Sequence, residues 1–348
     1  MILEIMYLLI MESVISSYER KNEPLIFYVS SFFTEKFNES VTVFEKLYEK
    51  NKKWIITYSG GKDSTALVVM ALYMKELYPD IDLNITYSDT MLEIPQMTAV
   101  AHSFLEAIEA RYSAKVNIVY PDINDTYWVR MIGRGYPPPG PRFRWCTDKI
   151  KIKPSRKLHN DGGVFITGLR LGESSQRDGR IKNSCLNGVA NECGGDVWMS
   201  QQGIDVAAPI IHWSTEEVWA FLAFSAKKVV PEVQYVIDLY GNTTMRFGCW
   251  MCTVVRRDKT LMALSAQGDT TSKKLLEFRE WLMTQSRKDE NRYIRKNGVK
   301  GRLKKEFRLE ILERLKKLES ETGLRLITEK EVQVSTMLVN SGRYEEYQ

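Results

Sequence analysis

Apolar residues recur at helical spacing between Phe27 and Lys50, at Phe32, Phe33, Phe37, Val41, Phe44, Leu47 and Tyr48, which predicts a helix with one packed face. The run Trp54-Ile55-Ile56-Thr57 then reads as a buried strand, and Ala66-Leu67-Val68-Val69-Met70-Ala71-Leu72 as the body of a second helix. Ile81 to Tyr87 predicts another strand, Pro95 opens a helix to about Arg111, Val116 to Tyr120 gives a third strand and Val164 to Thr167 a fourth. Strands alternating with helices imply an α/β fold: a mainly parallel sheet with helices on both faces, whose ligands bind beyond the C-terminal ends of the strands. The turns at Ser59, Asp89 and Gly168 fall at such ends.

Two stretches interrupt that alternation. Gly133 to Pro141 holds three consecutive prolines, which join neither ladder nor helix, and reads as an insertion or lid. It leads into Trp145-Cys146-Thr147-Asp148-Lys149-Ile150-Lys151-Ile152-Lys153, expected to be an extended basic run because alternate lysines cannot share one helix face. Gly179 to Gly203 looks irregular, and carries Cys185 and Cys193. Ser214 with Glu217 is a capping box, as is Thr328 with Glu331, and beyond Cys252 the chain is helical and charged. The expected organisation is an N-terminal helical extension over 1–50, a nucleotide-site domain over 51–225, and a cysteine-motif and helical region over 226–348.

The 348 residues are 44% hydrophobic, enough for a sizeable core. Met1 to Met11 is apolar but short, carries Glu4 and lacks a basic leader, so the reading is a cytoplasmic protein with no membrane partner. Five cysteines without an export signal favour a reducing compartment, where thiols serve metals or redox chemistry. Net charge is only +5, yet residues 256–330 hold 21 Lys and Arg against 12 Asp and Glu, so a polyanion would lie at that end. The run from Arg287 to Arg308 has ten basic and three acidic residues, which suits either a solvated helix face or contact with DNA.

The chemistry centres on Ser59-Gly60-Gly61-Lys62-Asp63-Ser64-Thr65, set between strand and helix. Two glycines permit a tight bend with exposed amides, Ser59, Ser64 and Thr65 add hydroxyls, Lys62 adds charge, and the helix start adds its positive end. Phosphate is the natural guest. The spacing departs from both the Walker A loop and the dinucleotide Gly-x-Gly-x-x-Gly fingerprint. It resembles the Ser-Gly-Gly-x-Asp-Ser loop of the PP-loop ATP pyrophosphatases, which have an adenine nucleotide alpha hydrolase-like fold. The resemblance implies an ATP site in which the loop holds pyrophosphate while a substrate oxygen attacks the α-phosphorus. Asp63 then either supports the helix entrance or Mg2+, or is a plain N-cap. Asp89 and Glu93 order ATP or the metal, or form a solvated turn. Arg170 neutralises phosphate and Glu173 orients it, or the two form a surface ion pair, with Arg177 close behind.

Cys249 and Cys252 form a C-x-x-C about a hundred residues after Cys146. Alone, that motif serves zinc, thiol exchange or a core. Together with Thr167-Gly168-Leu169-Arg170, Glu173-Ser174, Pro209-Ile210, Trp213-Ser214, Val218-Trp219 and Gly248-Cys249-Trp250, it is similar to the phosphoadenylylsulfate reductase-like branch, and within it to the DNA phosphorothioation proteins DndC and SspD. The likeness covers roughly Lys53 to Lys259. It implies a 4Fe-4S cluster on Cys146, Cys249, Cys252 and a further thiol, Cys193 or Cys185, with zinc as the main rival. It further implies a sulfurtransferase that adenylylates a DNA phosphate oxygen, with a cysteine desulfurase as sulfur donor and other phosphorothioation proteins as partners. Sulfonucleotide reductases instead carry a Glu-Cys-Gly nucleophile near the C-terminus. Here Glu192-Cys193-Gly194 is internal and no cysteine follows Cys252. A sulfonucleotide reductase, a tRNA thiolase and a non-catalytic nucleic-acid-binding subunit are the alternatives. Trp145, Trp213, Trp219 and Trp250 read as core, and His102, His159 and His212 show no metal spacing.

Overall fold

The computed structural model describes residues 31–156, 162–173, 178–179, 181, 198–199, 205–241 and 247–344. Helix α1 (Ser31–Lys50) lays Phe37, Val43, Phe44 and Leu47 into the core. It leads into β1 (Lys53–Tyr58), α2 (Lys62–Leu77), β2 (Asp82–Ser88), α3 (Pro95–Arg111), β3 (Lys115–Val119) and β4 (Val164–Thr167). Periodicity placed these elements within a few residues, except that α2 starts four residues before its apolar body, inside the glycine loop itself. After β5 (Trp198–Met199) and β6 (Asp205–Ala207) the sheet order is β3-β2-β1-β4-β6-β5. Every pairing is parallel save β5 with β6. The fold is therefore α/β with a mostly parallel sheet. Its β1 is largely buried, as a central parallel strand requires, and Trp54, Ile56 and Tyr58 join Phe44 and α2 in one core.

The strand order reverses at β1. The chain leaves β1 toward β2 and β3 on one side and returns as β4 on the other, so a crevice opens beyond the C-terminal ends of β1 and β4. Around it stand α4 (Thr215–Ala220), capped by the predicted reciprocal bonds of Ser214 and Glu217, and α5 (Val233–Tyr240).

A second hydrophobic core lies apart from the sheet. It gathers α6 (Lys259–Ala266), α7 (Thr270–Gln285), the hairpin β7 (Arg292–Ile294) and β8 (Lys300–Leu303), α8 (Lys305–Thr322) and α9 (Glu329–Asn340). Tyr127, Trp128, Met131, Ile132, Trp145 and Ile150 belong to this core although they precede β4 in sequence. The proline-rich insertion is thus a piece of the C-terminal structure reached from the sheet. Trp128 is pinned there by donating its indole N–H to the Leu326 carbonyl at 2.7 Å. Trp145, Trp213 and Trp250 are buried as expected. Among the described residues no helix is long and apolar enough to cross a membrane.

Candidate functional site

The glycine loop is shaped by its own hydroxyls. Gly60 takes φ +75°, which an L side chain rarely adopts, and a Cβ there would meet the Ala101 Cβ at 3.1 Å. Gly61 is the extended N-cap of α2. Ser64 Oγ donates to the Gly61 carbonyl at 2.9 Å, accepts from the Ser59 amide at 3.1 Å and meets Ser59 Oγ at 3.0 Å, while Thr65 Oγ1 donates to the same carbonyl at 3.0 Å. The hydroxyls of Ser64 and Thr65 therefore brace the turn instead of pointing outward to a ligand, which corrects their predicted donor role. Among the described bonds no protein acceptor takes the amides of Gly60, Gly61 or Lys62. Those amides sit at the start of a helix of 16 residues, so donors and helix dipole act in one direction.

Asp63 is not the N-cap. Gly61 holds that position and Asp63 lies within the first turn, where its Oδ1 accepts from Arg170 Nε at 2.6 Å and its carboxylate pairs with Lys62 Nζ at 2.7 Å. Arg170 is only 3% exposed, and also donates to the Trp213 carbonyl at 2.9 Å and to Thr215 Oγ1 at 3.2 Å, with Glu173 at 3.7 Å. This network joins the β4 exit to the loop across the crevice. It is the buried alternative to the surface ion pair. Gly168 is part of the same closure, because a Cβ on it would lie 3.1 Å from the backbone of Asp63 and Ser64. Both carboxylate oxygens of Asp63 are thus engaged by Arg170 and Lys62.

Asp89, at the end of β2, is likewise committed. It accepts from the Met91 amide at 2.7 Å and meets His102 Nε2 at 3.2 Å, so a histidine given no chemistry from sequence orients the carboxylate expected to order ATP. Among the described residues Met91 is the non-glycine one with positive φ, at 63°, and the Asp89 bond holds that turn. Glu93 belongs to the thiols. Thr90 Oγ1 donates to Glu93 Oε2 at 2.6 Å, Cys249 Sγ lies 3.8 Å from Oε1, and Lys151 Nζ lies 3.9 Å from it.

Cys146, Cys249 and Cys252 are free thiols, each partly buried. Cys249 is held by an antiparallel bridge to Glu93, with the Ile94 amide bonding to the Gly248 carbonyl and the Trp250 amide to that of Leu92. The C-x-x-C turn is clamped by Arg279, fully buried, which donates to the carbonyls of Cys252 at 2.7 Å and Val255 at 2.6 Å. Nothing in the local sequence of α7 signals that role. The insertion is stitched to the same turn through Thr253 Oγ1 to the Pro139 carbonyl at 2.7 Å, and carries Trp145 beside Cys146, its indole bonded to the Pro137 carbonyl at 3.0 Å.

Electrostatics ties the three thiols together. Burial pushes the Cys249 thiol up to about 12, with Lys151 opposing it, and burial raises Cys146 as well. The Lys151 ammonium is raised chiefly by Cys249, then by Glu93, Cys146 and Cys252. The expected extended run is in fact a wide helical turn over Thr147–Ile152 continued by Lys153–Arg156. Lys149 pairs with Asp148 at 2.8 Å, Lys151 with Glu93 and Lys153 with Asp125 at 2.5 Å, because a helix fans alternate residues toward different partners. Among the described residues no three Cys, His, Asp or Glu converge closely enough for one metal ion. Thiolates on one tetrahedral zinc would stand roughly 3.8 Å apart. A cluster attaches each thiolate to a different iron and fits a wider set of soft donors. Cys185 and Cys193 lie outside the described residues, as do Gln176 and Arg177. A cavity of about 650 Å3 opens beside Glu93 and Trp250, walled by Pro95, Thr98, Tyr120 and the 324–328 segment.

An α/β sheet with an open-amide loop at its reversal point, facing a buried arginine from the neighbouring strand, defines a phosphate-site protein of the PP-loop kind. The chain belongs to the phosphoadenosine phosphosulfate reductase domain family, whose model matches residues 53–255. It is 29% identical over 213 residues to the uncharacterised protein MJ0066 of Methanocaldococcus jannaschii, a match covering 59% of this chain and 37% of that relative's length. Among solved structures it is similar to the phosphoadenylyl-sulfate reductase of Candida auris in a phosphate complex. That likeness has TM-score 0.39 and 13% identity, covering 66% of this chain and all of that one. The U34-tRNA thiolase NcsA of Methanococcus maripaludis with its [4Fe-4S] cluster gives TM-score 0.37 and 15% identity, covering 76% and 87%.

Proposed function

We propose that the protein is an ATP-dependent sulfurtransferase of DNA phosphorothioate modification. The observation that carries the nucleotide half is the set of Gly60, Gly61 and Lys62 amides left open at the start of α2, opposite Arg170. Three amides and a helix dipole stabilise the two charges that develop on departing pyrophosphate. A non-bridging phosphate oxygen of DNA attacks the α-phosphorus of ATP, the α–β bridging bond breaks, and AMP is carried on that oxygen. Sulfur then displaces AMP, which is needed because a phosphate oxygen is otherwise a very poor leaving group. Lys62, held by Asp63, stays beside the phosphates, while Arg170 fixes Asp63 and thereby the loop.

The sulfur half is supported by Cys249, whose Sγ lies 3.8 Å from Glu93 two residues before α3, while Met97 in the first turn of α3 lies beside Gly60 of the loop. Cys146, Cys249 and Cys252 would hold three irons of a 4Fe-4S cluster, whose fourth iron would either take a thiol outside the described residues or be open to sulfide. Lys151 favours the thiolate form of Cys249, and Glu93 with Thr90 fixes its direction. The basic balance of residues 256–330 suits a DNA substrate, and sulfur would come from a cysteine desulfurase either as sulfide or as a persulfide that a thiol reductant cleaves to sulfide, the thiol ending as a disulfide.

The test incubates the anaerobically purified protein with ATP, duplex DNA, cysteine, a desulfurase and a dithiol reductant. Pyrophosphate release is measured, and nuclease digests are analysed by mass spectrometry for phosphorothioate dinucleotides. DNA-dependent pyrophosphate release with those products supports the reading. Thiol-dependent sulfite release from phosphoadenylylsulfate, with no ATP turnover, overturns it in favour of a reductase.

A further inference from the structure

Within the basic stretch 256–330, the C-terminal core projects a single hairpin. The hairpin from Arg292 to Leu303 carries Arg292, Arg295, Lys296, Lys300 and Arg302 and no acidic residue. Its tip over 294–300 is exposed throughout, with Ile294 at 51% and Val299 at 52% exposure among the cations. A paired ribbon with a solvated apolar tip is an unusual thing to leave bare, since two strands alone are marginal in water. Its base is nevertheless firm. The Leu303 amide donates to the Gly135 carbonyl at 2.7 Å, Arg302 donates to the Arg134 carbonyl at 3.1 Å, and Arg292 donates to the Ser286 carbonyl at 3.0 Å.

That anchor is the proline-rich insertion, and the insertion has the same charge character. Residues 134–145 hold Arg134, Arg142 and Arg144 and no acid. Phe143, 48% exposed, stacks on Tyr136 at 6.2 Å, and the Arg302 guanidinium lies over the same Tyr136 ring, 5.8 Å from its centre. Tyr136 in turn meets Trp145 at 5.8 Å, the residue before Cys146. Hairpin and insertion therefore make one basic surface with interleaved aromatic rings, on which Arg142, Arg295, Lys296 and Lys300 are exposed and Arg134, Arg144, Arg292 and Arg302 half-buried, reaching Trp145 beside Cys146.

We infer that this hairpin and insertion together grip duplex DNA, with the ribbon entering a groove and Arg142 and its neighbours tracking the backbone toward Cys146. The inference rests on the sulfurtransferase reading for what happens to that backbone, but not for the binding itself. Charge complementarity commits it to a polyanion. The two-stranded width commits it to B-form DNA, whose major groove of about 12 Å admits a β-ribbon, whereas the deep, narrow groove of A-form RNA does not.

Binding of a fluorescent duplex is measured by anisotropy across a salt series, for the full chain and for Lys296→Glu, Arg142→Glu and the double variant. Both side chains are exposed and at a distance from either core, and thermal unfolding identifies a folded protein. Each reversal should lower the slope of log K against log salt by about 1, and the double variant by about 2. Lys50→Glu, at the end of α1 just before the N-terminal end of β1, should leave the slope unmoved. An unchanged slope in the double variant, or equal affinity for a duplex RNA of the same sequence, overturns the inference. If DNA-dependent pyrophosphate release persists while the slope is unchanged, this surface is wrong and the sulfurtransferase reading stands. If the slope falls as expected but ATP never turns over, the surface stands and that reading fails.

Discussion

The Asp63–Arg170 pair makes an asymmetric prediction, because its two members are unequally buried. The Arg170 side chain is 4% exposed and that of Asp63 is 21%. Asp63→Ala strands a buried guanidinium whose next carboxylate, Glu173, is 3.7 Å away, though two neutral acceptors remain. Orphaning a buried charge costs about 3–5 kcal/mol, and the remaining acceptors place this case near 3. Arg170→Met leaves a carboxylate that keeps Lys62 at 2.7 Å and some water, and the methionine fills most of the volume. Its cost should be about 1–2 kcal/mol, the scale of one charged hydrogen bond. The double variant should then lose about 3 kcal/mol in all, a coupling of about 1–2 kcal/mol between residues 107 apart in sequence. Urea unfolding of the four proteins measures this cycle. Should Arg170→Met cost as much as Asp63→Ala, with additive effects, the guanidinium is not held by this carboxylate and the closure of the crevice is misassigned.

Three further outcomes follow from other parts of the molecule. Gly60→Ala should cost roughly 1–2 kcal/mol for left-handed backbone and weaken nucleotide binding, since its Cβ also presses on Ala101; calorimetric titration with ATP checks it. Burial opposes ionisation of Asp125, yet bonds from Lys153 and Arg130 outweigh it and hold the carboxyl below its usual 3.8. The stability it lends is therefore present above that pH and lost as pH falls through the lower folded value, so Asp125→Asn should flatten the acid limb of unfolding free energy measured between about pH 5 and 2. In metal-free protein the raised Cys249 and Cys146 thiols should alkylate more slowly than free cysteine at pH 8, and mass spectrometry would report equal rates if the site were open and electropositive.

Much of the architecture was written in the local pattern. A buried strand needs a continuous apolar run, a helix an apolar stripe and a cap a hydroxyl, so β1, β4, α3 and the capping boxes at Ser214 and Thr328 could be placed from the chain. The glycine loop was legible for the same reason: its chemistry depends on residues adjacent in sequence. What the loop's side chains do was not. Ser64 and Thr65 turn inward because an acceptor, the Gly61 carbonyl, lies within the same turn, and Asp63 finds Arg170 because the β1–β4 pairing brings them together. The lysines after Cys146 look extended by alternation, yet they lie in a helical turn where Lys149 pairs with the adjacent Asp148 while Lys151 and Lys153 reach Glu93 and Asp125 elsewhere in the fold. His102 against Asp89, Arg279 under the cysteine turn and the capture of the proline-rich segment by the C-terminal core are contacts between distant parts of the chain. Such contacts have no period and no spacing, since the energy that selects them is that of burying a charge or an indole beside its one available partner, and only the folded structure determines which partner that is.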